Sequence, residues 1–189
     1  ITKQVDQTAK KAKGGDKDAK VSIGAMEKVK QMLDAGKPAR SADLTDEERA
    51  LPFYAQLITA KRVLYVCNVD EDDAAKGNAW TALVADYAAT HGAEAVIISA
   101  EIESEVAQLG SDDEKREFLG ALGLDEPGLN KVIRAAFKLL GLQTYFTVGP
   151  KEARAWIVRV GARAPQAAGV IHTDFERGFI RAETIGYAD

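Results

Sequence analysis

The run Lys61-Arg62-Val63-Leu64-Tyr65-Val66-Cys67-Asn68-Val69-Asp70-Glu71 constrains this 189-residue chain more than any other stretch. Its basic lead-in and apolar middle predict a buried strand over residues 62–67, and its polar end predicts a loop from Asn68 to Asp73. A helical pattern near residues 79–91, closed by Gly92, comes next. Then follows Ala95-Val96-Ile97-Ile98-Ser99, a second short run rich in β-branched residues. Strand, helix and strand make a βαβ unit, whose right-handed crossover sets the two strands parallel. Both polar corners, after Cys67 and after Ile98, then emerge at one sheet edge, where open α/β sheets bind their ligands.

Upstream, Ile1, Val5, Thr8 and Ala12 follow a 4-3-4 spacing that resumes at Ala19, Ser22, Met26, Val29 and Leu33. This is a thin coiled-coil seam. Gly14-Gly15-Asp16 interrupts it as a turn signal with Asp16 as N-cap, which predicts two antiparallel helices with a tip at residues 14–16. Lys10, Lys11, Lys13, Lys17 and Lys20 crowd that tip. They suit contact with a nucleic-acid backbone and suit plain solubility equally. Ala35-Gly36 and Pro38 end the second helix. Thr45-Asp46-Glu47-Glu48 reads as a capping box opening a helix that runs toward Ile58 with a kink at Pro52.

Downstream of the βαβ unit, helical patterns occupy roughly residues 102–109, 113–122 and 129–140. Composition changes after Gly141, where Thr144 to Val148 and Arg154 to Val160 read as strands around a Gly149-Pro150-Lys151-Glu152 turn. A short helix over residues 165–171 and a last strand over 179–184 complete a ββαβ order, the beginning of a β-grasp module. The domain expectation is a helical arm over residues 1–58, an α/β segment over 59–141 and a β-grasp module over 142–189.

With 46% hydrophobic and 29% charged residues, the chain can bury a core. Its charge is uneven. Residues 1–40 hold ten Lys/Arg against five Asp/Glu, residues 41–141 nine against nineteen, and residues 142–189 six against five. Basic ends permit a phosphate-rich partner. The single Cys67 excludes an internal disulfide and a cysteine zinc cage, and fits a reducing, cytoplasmic compartment. No apolar run approaches the roughly 20 residues needed to span a bilayer. The start at Ile1 rather than a methionine suggests a fragment or processed product, or a boundary of cloning.

Paired catalytic groups are poorly represented. His91 and His172 lie far apart with no partner at metal-ligand spacing, and the acidic cluster Asp70 to Asp73 lacks the glycine and spaced carboxylates of a calcium loop. No Gly-x-x-x-x-Gly-Lys-Ser/Thr and no Gly-x-Gly-x-x-Gly occurs. We therefore expect neither catalytic nor metal-ligating residues in this chain. What remains are the corners Asn68-Val69-Asp70-Glu71 and Ser99-Ala100-Glu101, at positions where GTP-binding proteins carry Asn-Lys-x-Asp and Ser-Ala-Lys. Val69 replaces the lysine, and Glu71 stands where an aspartate receives the two guanine N–H donors. Adenine offers an acceptor at N1 and a donor at N6, so such a site need not prefer guanine. A plain structural loop remains the other reading, since Asn and Asp are ordinary turn residues.

Five ordered blocks carry a resemblance across the chain. They are residues 10–20, Asn68 to Glu71, Glu126-Pro127-Gly128-Leu129-Asn130, Leu142-Gln143-Thr144-Tyr145-Phe146-Thr147, and residues 164–169 with 172–183. Together they resemble the YchF type of Obg-like P-loop NTPase, similar to GTPases but with an Asn-x-x-Glu signature associated with ATP preference. The last block resembles that family's TGS domain.

The resemblance implies an α/β fold: part of a P-loop NTPase parallel sheet with a helical coiled-coil arm, followed by a partial β-grasp (TGS) module. It implies base recognition by the Asn68 side chain, the Val69 backbone and Glu71 as signature acid, with Ser99, Ala100 and Glu101 as a second wall. Glu101 departs from the lysine of ordinary GTPases. The implied cofactor is ATP, with GTP as alternative, and Mg2+ is expected through residues outside this chain, as are the phosphate-binding loop and the group that positions water. The implied partner is the ribosome or RNA, with Lys10, Lys11, Lys13, Lys17, Lys20, Arg154, Arg177 and Arg181 as candidate contacts and no membrane. The parent protein is expected to hydrolyse ATP and the 189 residues alone to turn over little. A non-enzymatic RNA- or ribosome-binding module is the rival.

Overall fold

The computed structural model describes residues 1–186, apart from the side chain of Lys17. Residues 187–189, the end of the expected β-grasp module, lie outside the described residues. The chain divides into two compact units, Ile1–Arg62 and Val63–Asp189.

In the first unit, α1 (Thr2–Lys13) and α2 (Lys17–Asp34) pack on each other. The turn between them forms because Gly15 takes φ +94°, a region open to a residue without Cβ. Asp16 then caps α2, its Oδ1 accepting the N–H groups of Asp18 at 3.0 Å and Ala19 at 3.1 Å. The apolar seam is used as its spacing predicts: Ala19, Met26 and Val29 are buried, and Ile1 and Val5 pack against the same core. The chain then returns over α2, adding Ala39, Ala42, Leu44, Phe53 and Tyr54 to that core. Arg49 pins the return, donating to the carbonyls of Ala42 and Leu44 and to the Tyr54 hydroxyl.

The Thr45 capping box is present, but the helix it opens does not run to Ile58. It stops as α3 (Asp46–Arg49), and Pro52 begins a separate turn, α4 (Pro52–Ala55). The reason is local. Leu51, preceding the proline, is extended at ψ 137°, because the Pro52 ring disfavours the helical region for the residue before it. The proline therefore breaks the helix instead of kinking it.

The second unit holds the βαβ element: β1 (Leu64–Asn68), α5 (Ala79–Thr90) and β2 (Glu94–Ile98). The strands pair in parallel with Leu64 opposite Glu94 and Asn68 opposite Ile98. The first strand thus starts two residues later than predicted and includes Asn68, whose backbone continues the ladder. Next come α6 (Ala100–Val106), α7 (Asp112–Ala121) and α8 (Gly128–Leu140). Helix α8 packs on both strands, and α6 and α7 bury Ile102, Val106 and Leu119 against Ala74 and Leu124. Helix α6 begins directly at Ala100, so Ala100 and Glu101 form a helix N-terminus, two residues ahead of the predicted start.

Gly141 ends α8 in the left-handed region (φ 64°, ψ 42°) and leads straight into β3 (Leu142–Val148). With β4 (Ala153–Arg159) it forms an antiparallel hairpin covered by α9 (Ala164–Ile171). The Tyr145 hydroxyl, on β3, donates to the Ala167 carbonyl on α9 at 2.8 Å. Two features differ from expectation. A short helix, α10 (Thr173–Arg177), follows α9, and residues 179–184 form no strand. Their β-like composition meets no ladder partner among the described residues. Glu183, Thr184 and Ile185 instead line an open groove of about 720 Å³ with Thr144, Tyr145, Phe146 and Val148. The described residues form a mixed α/β structure with two small sheets.

Candidate functional site

Parallel pairing brings the two polar corners together. Asn68 ends β1 and Ile98 ends β2 in register, and the ladder runs one residue further as the Val69 N–H donates to the Ile98 carbonyl at 2.9 Å. Ser99 then turns the chain into α6. Across the gap the Asn68 Oδ1 accepts the Ala100 N–H at 2.9 Å, so one side chain joins both strand ends. A backbone N–H can only donate, which fixes the amide: oxygen faces Ala100, and Nδ2 is left as a donor. Asn68 and Ala100 are both exposed.

Around this clasp the other predicted residues divide. Val69 has its N–H engaged and its side chain against the Ile102 core, leaving its carbonyl. Ser99 is 3% exposed, and its Oγ is the buried side-chain polar atom without a hydrogen-bond partner among the described residues. Buried hydroxyls normally find a partner, and Ser99 Oγ has none among the described residues. Glu71 and Glu101 are exposed carboxylates, Glu71 opening a single 3-10 turn (Glu71–Asp73) and Glu101 in the first turn of α6. A cavity of about 450 Å³ beside β1 is lined by Cys67, Asn68, Val69, Asp70, Asn78 and Trp80 among others. Ser99, Ala100 and Glu101 do not line it.

Sequence reasoning passed over the groups that hold these corners. The Glu103 Oε1 accepts the Gly128 N–H at 2.6 Å, capping α8. A Cβ on Gly128 would stand 2.9 Å from the Ile98 Cγ2, so only glycine lets α8 approach the end of β2. The loop after Asn68 is tied in turn by Asn78, whose amide both caps α5 and donates to the Asp73 carboxylate. The spacing Asn78-x-x-Thr81 before an apolar helix was the available signal, a capping box with threonine in the third position.

The basic candidates lie apart from this corner along the chain. Lys10, Lys11, Lys13 and Lys20 are exposed around the α1–α2 turn, and the side chain of Lys17 lies outside the described residues. Arg154 stacks over Trp156, 4.3 Å from the ring centroid, while Arg177 and Arg181 are exposed at and beyond α10. Among the described residues no group of three or more His, Cys, Asp or Glu could hold a metal ion, and no helix is long and apolar enough to cross a membrane.

Comparison with known proteins gives the following. Residues 142–189 match the YchF-GTPase_C family, described as "Protein of unknown function (DUF933)". The chain is 50% identical over 185 residues to the "Ribosome-binding ATPase YchF" of Escherichia coli O157:H7, covering 98% of this chain and 50% of that protein. It is 46% identical to the Bacillus subtilis protein of the same name (100% and 52% covered) and 38% identical to "Obg-like ATPase 1" of Pongo abelii (98% and 48%). The chain therefore spans about half the length of the curated relatives it matches. The solved "Structure of the Schizosaccharomyces pombe YchF GTPase" superposes with a TM-score of 0.74 at 29% identity, over 95% of this chain and 51% of that one.

Proposed function

Given that this chain is a homologue of the YchF and Obg-like ATPases over about half their length, we propose that the protein it represents hydrolyses ATP and acts at the ribosome. In this reading residues 59–141 are the base-recognising half of a P-loop nucleotide domain, residues 1–58 its helical arm, and residues 142–189 a TGS module. The setting is the cytoplasm.

The observation that carries the base reading is the Asn68–Ala100 clasp. Its free Nδ2 suits the N7 acceptor that adenine and guanine share. The Ala100 N–H, a natural partner for the guanine O6, is occupied by Asn68. Adenine presents an amine at that edge instead and loses nothing when no donor faces it. Glu71 and Glu101 supply acceptors where GTP-binding proteins place a shorter acid and a lysine.

Magnesium, held by residues outside this chain, supplies charge neutralisation on the phosphates when bound. The role of these 189 residues is to bind and orient the base, and thereby the phosphate chain, for attack by water. The exposed lysines of the α1–α2 turn favour a second role for the arm, contact with ribosomal RNA, whether or not hydrolysis is coupled to it. Competition between ATP and GTP for the full-length protein tests the base reading. Preference for GTP overturns it.

A further inference from the structure

The turn that carries Glu71 has a tether of its own. Glu71–Asp73 is one turn of 3-10 helix, closed by the Ala74 N–H on the Glu71 carbonyl at 3.1 Å. The exposed Glu71 side chain is therefore placed only as well as the turn is. Two residues on, the Asp73 Oδ2 accepts the Asn78 Nδ2 at 2.6 Å. The Asn78 Oδ1 is committed to α5, accepting from Trp80 at 3.0 Å and Thr81 at 3.1 Å. The Asn78 N–H donates to the Thr81 Oγ1 at 2.9 Å, and Thr81 is buried. With its oxygen held by two helix N–H groups, the amide has only its nitrogen to offer Asp73, and both residues are half-buried. Gly77, at φ +72°, makes the sharp return that brings Asn78 back to the turn.

Neither residue is in the base-recognition set, and neither is needed to cap α5 or extend β1 except Asn78 through its oxygen. Together with the Gly77 N–H, which donates to the Asp73 carbonyl at 2.7 Å, the carboxylate–amide contact fixes the Glu71 turn to the start of α5. We propose that Asp73 and Asn78 are a positioning pair that sets the choice between adenine and guanine by holding Glu71 at the base edge. The inference rests on the nucleotide reading above and deepens it. Hydrogen-bond readout tolerates only a few tenths of an ångström, so a freed turn loses selectivity before it loses binding.

The test is a reciprocal swap in the full-length protein, with affinities for fluorescent ATP and GTP analogues measured by titration. Asn78→Asp keeps an oxygen to cap α5 but sets a second carboxylate against Asp73, so the tether opens while the helix start remains. The expected result is a change of about tenfold in the ATP-to-GTP affinity ratio, equivalent to about 1.4 kcal/mol. The double variant Asp73→Asn with Asn78→Asp restores the contact with donor and acceptor exchanged. Its ratio is expected to return to within about threefold of the wild type, or about 0.7 kcal/mol. If Asn78→Asp fails to fold, Asp73→Ala opens the tether without touching the cap and carries the same expectation. A lowered melting temperature with an unchanged ratio, or a swap that rescues nothing, overturns the positioning role. A wild-type protein favouring GTP overturns the adenine reading alone, and one that binds neither nucleotide overturns both.

Discussion

The Asn68 Oδ1 accepts the Ala100 N–H at 2.9 Å across 32 residues of sequence, and this one bond joins the ends of two parallel strands. It divides a single side chain: the oxygen holds structure and the nitrogen keeps its donor hydrogens. Asn68→Asp is therefore the informative substitution. It keeps an acceptor for Ala100 and loses the donor. The expected outcome is a folded full-length protein, by circular dichroism and melting, whose ATP affinity falls by about tenfold or more in calorimetric titration.

Two glycines with similar backbones should respond differently to alanine. Gly77 and Gly123 sit at φ +72° and +70°. A Cβ at Gly123 meets nothing within 4 Å, whereas one at Gly77 lies 2.4 Å from the Thr81 Oγ1 and 2.7 Å from the Ile97 Cδ1. Gly123→Ala should cost only the left-handed strain, about 1–2 kcal/mol. Gly77→Ala adds overpacking of about 1–3 kcal/mol more and disturbs the Asn78 cap. Urea midpoints of the two variants measure the difference.

Acid should loosen the first unit through Glu48. The Lys28 ammonium beside it, at 2.8 Å, and secondly the Thr45 N–H hold its carboxyl below the ordinary value of 4.5. A carboxyl depressed in the folded state stabilises fully above its unfolded value and loses that contribution as pH falls through the folded one. Thermal melts between pH 7 and pH 3 should show the loss below about pH 4.5. Glu48→Gln should be less stable at pH 7 and show a shallower acid limb.

Replacing Lys10, Lys11, Lys13 and Lys20 with glutamine should weaken sedimentation of the full-length protein with ribosomes. If these side chains meet phosphates, the slope of log affinity against log salt should drop by about 0.7–0.9 for each phosphate left without its lysine. The fold should be unaffected, because all four are exposed. An unchanged slope rules out these four lysines as phosphate contacts.

The sequence made the βαβ core legible because burial imposes period and composition there. Val66, Cys67, Val96 and Ile97 announce strands, and Asp16 and Thr45 announce helix starts through their side-chain oxygens. Asn68 and Ala100 could be named as candidates, but the clasp between them depends on parallel register, which no local pattern states. The Asp73–Asn78 tether and the Glu103–Gly128 cap escaped for the same reason: each depends on which side chains tertiary packing brings into reach. Residues 179–184 failed in the opposite sense. Phe179, Ile180 and Thr184 suit a strand, but a strand exists only when a neighbour accepts its ladder, and composition carries no information about that neighbour.

Gly141 is the single residue between α8 and β3, and the Val160 N–H closes on its carbonyl at 2.8 Å, so the helix meets the hairpin with no slack. At its other end α8 is seated by Gly128 on Ile98, the residue before Ser99. Thirteen residues of helix span about 20 Å. The end of β2 and the hairpin are thus joined by one helix. A tilt of about 5° about Gly128 displaces Leu140 by about 1.6 Å, since the rise is fixed at about 1.5 Å per residue. The geometry converts a small rotation at the corner into a displacement of about one bond length at the root of β3, without any linker to absorb it.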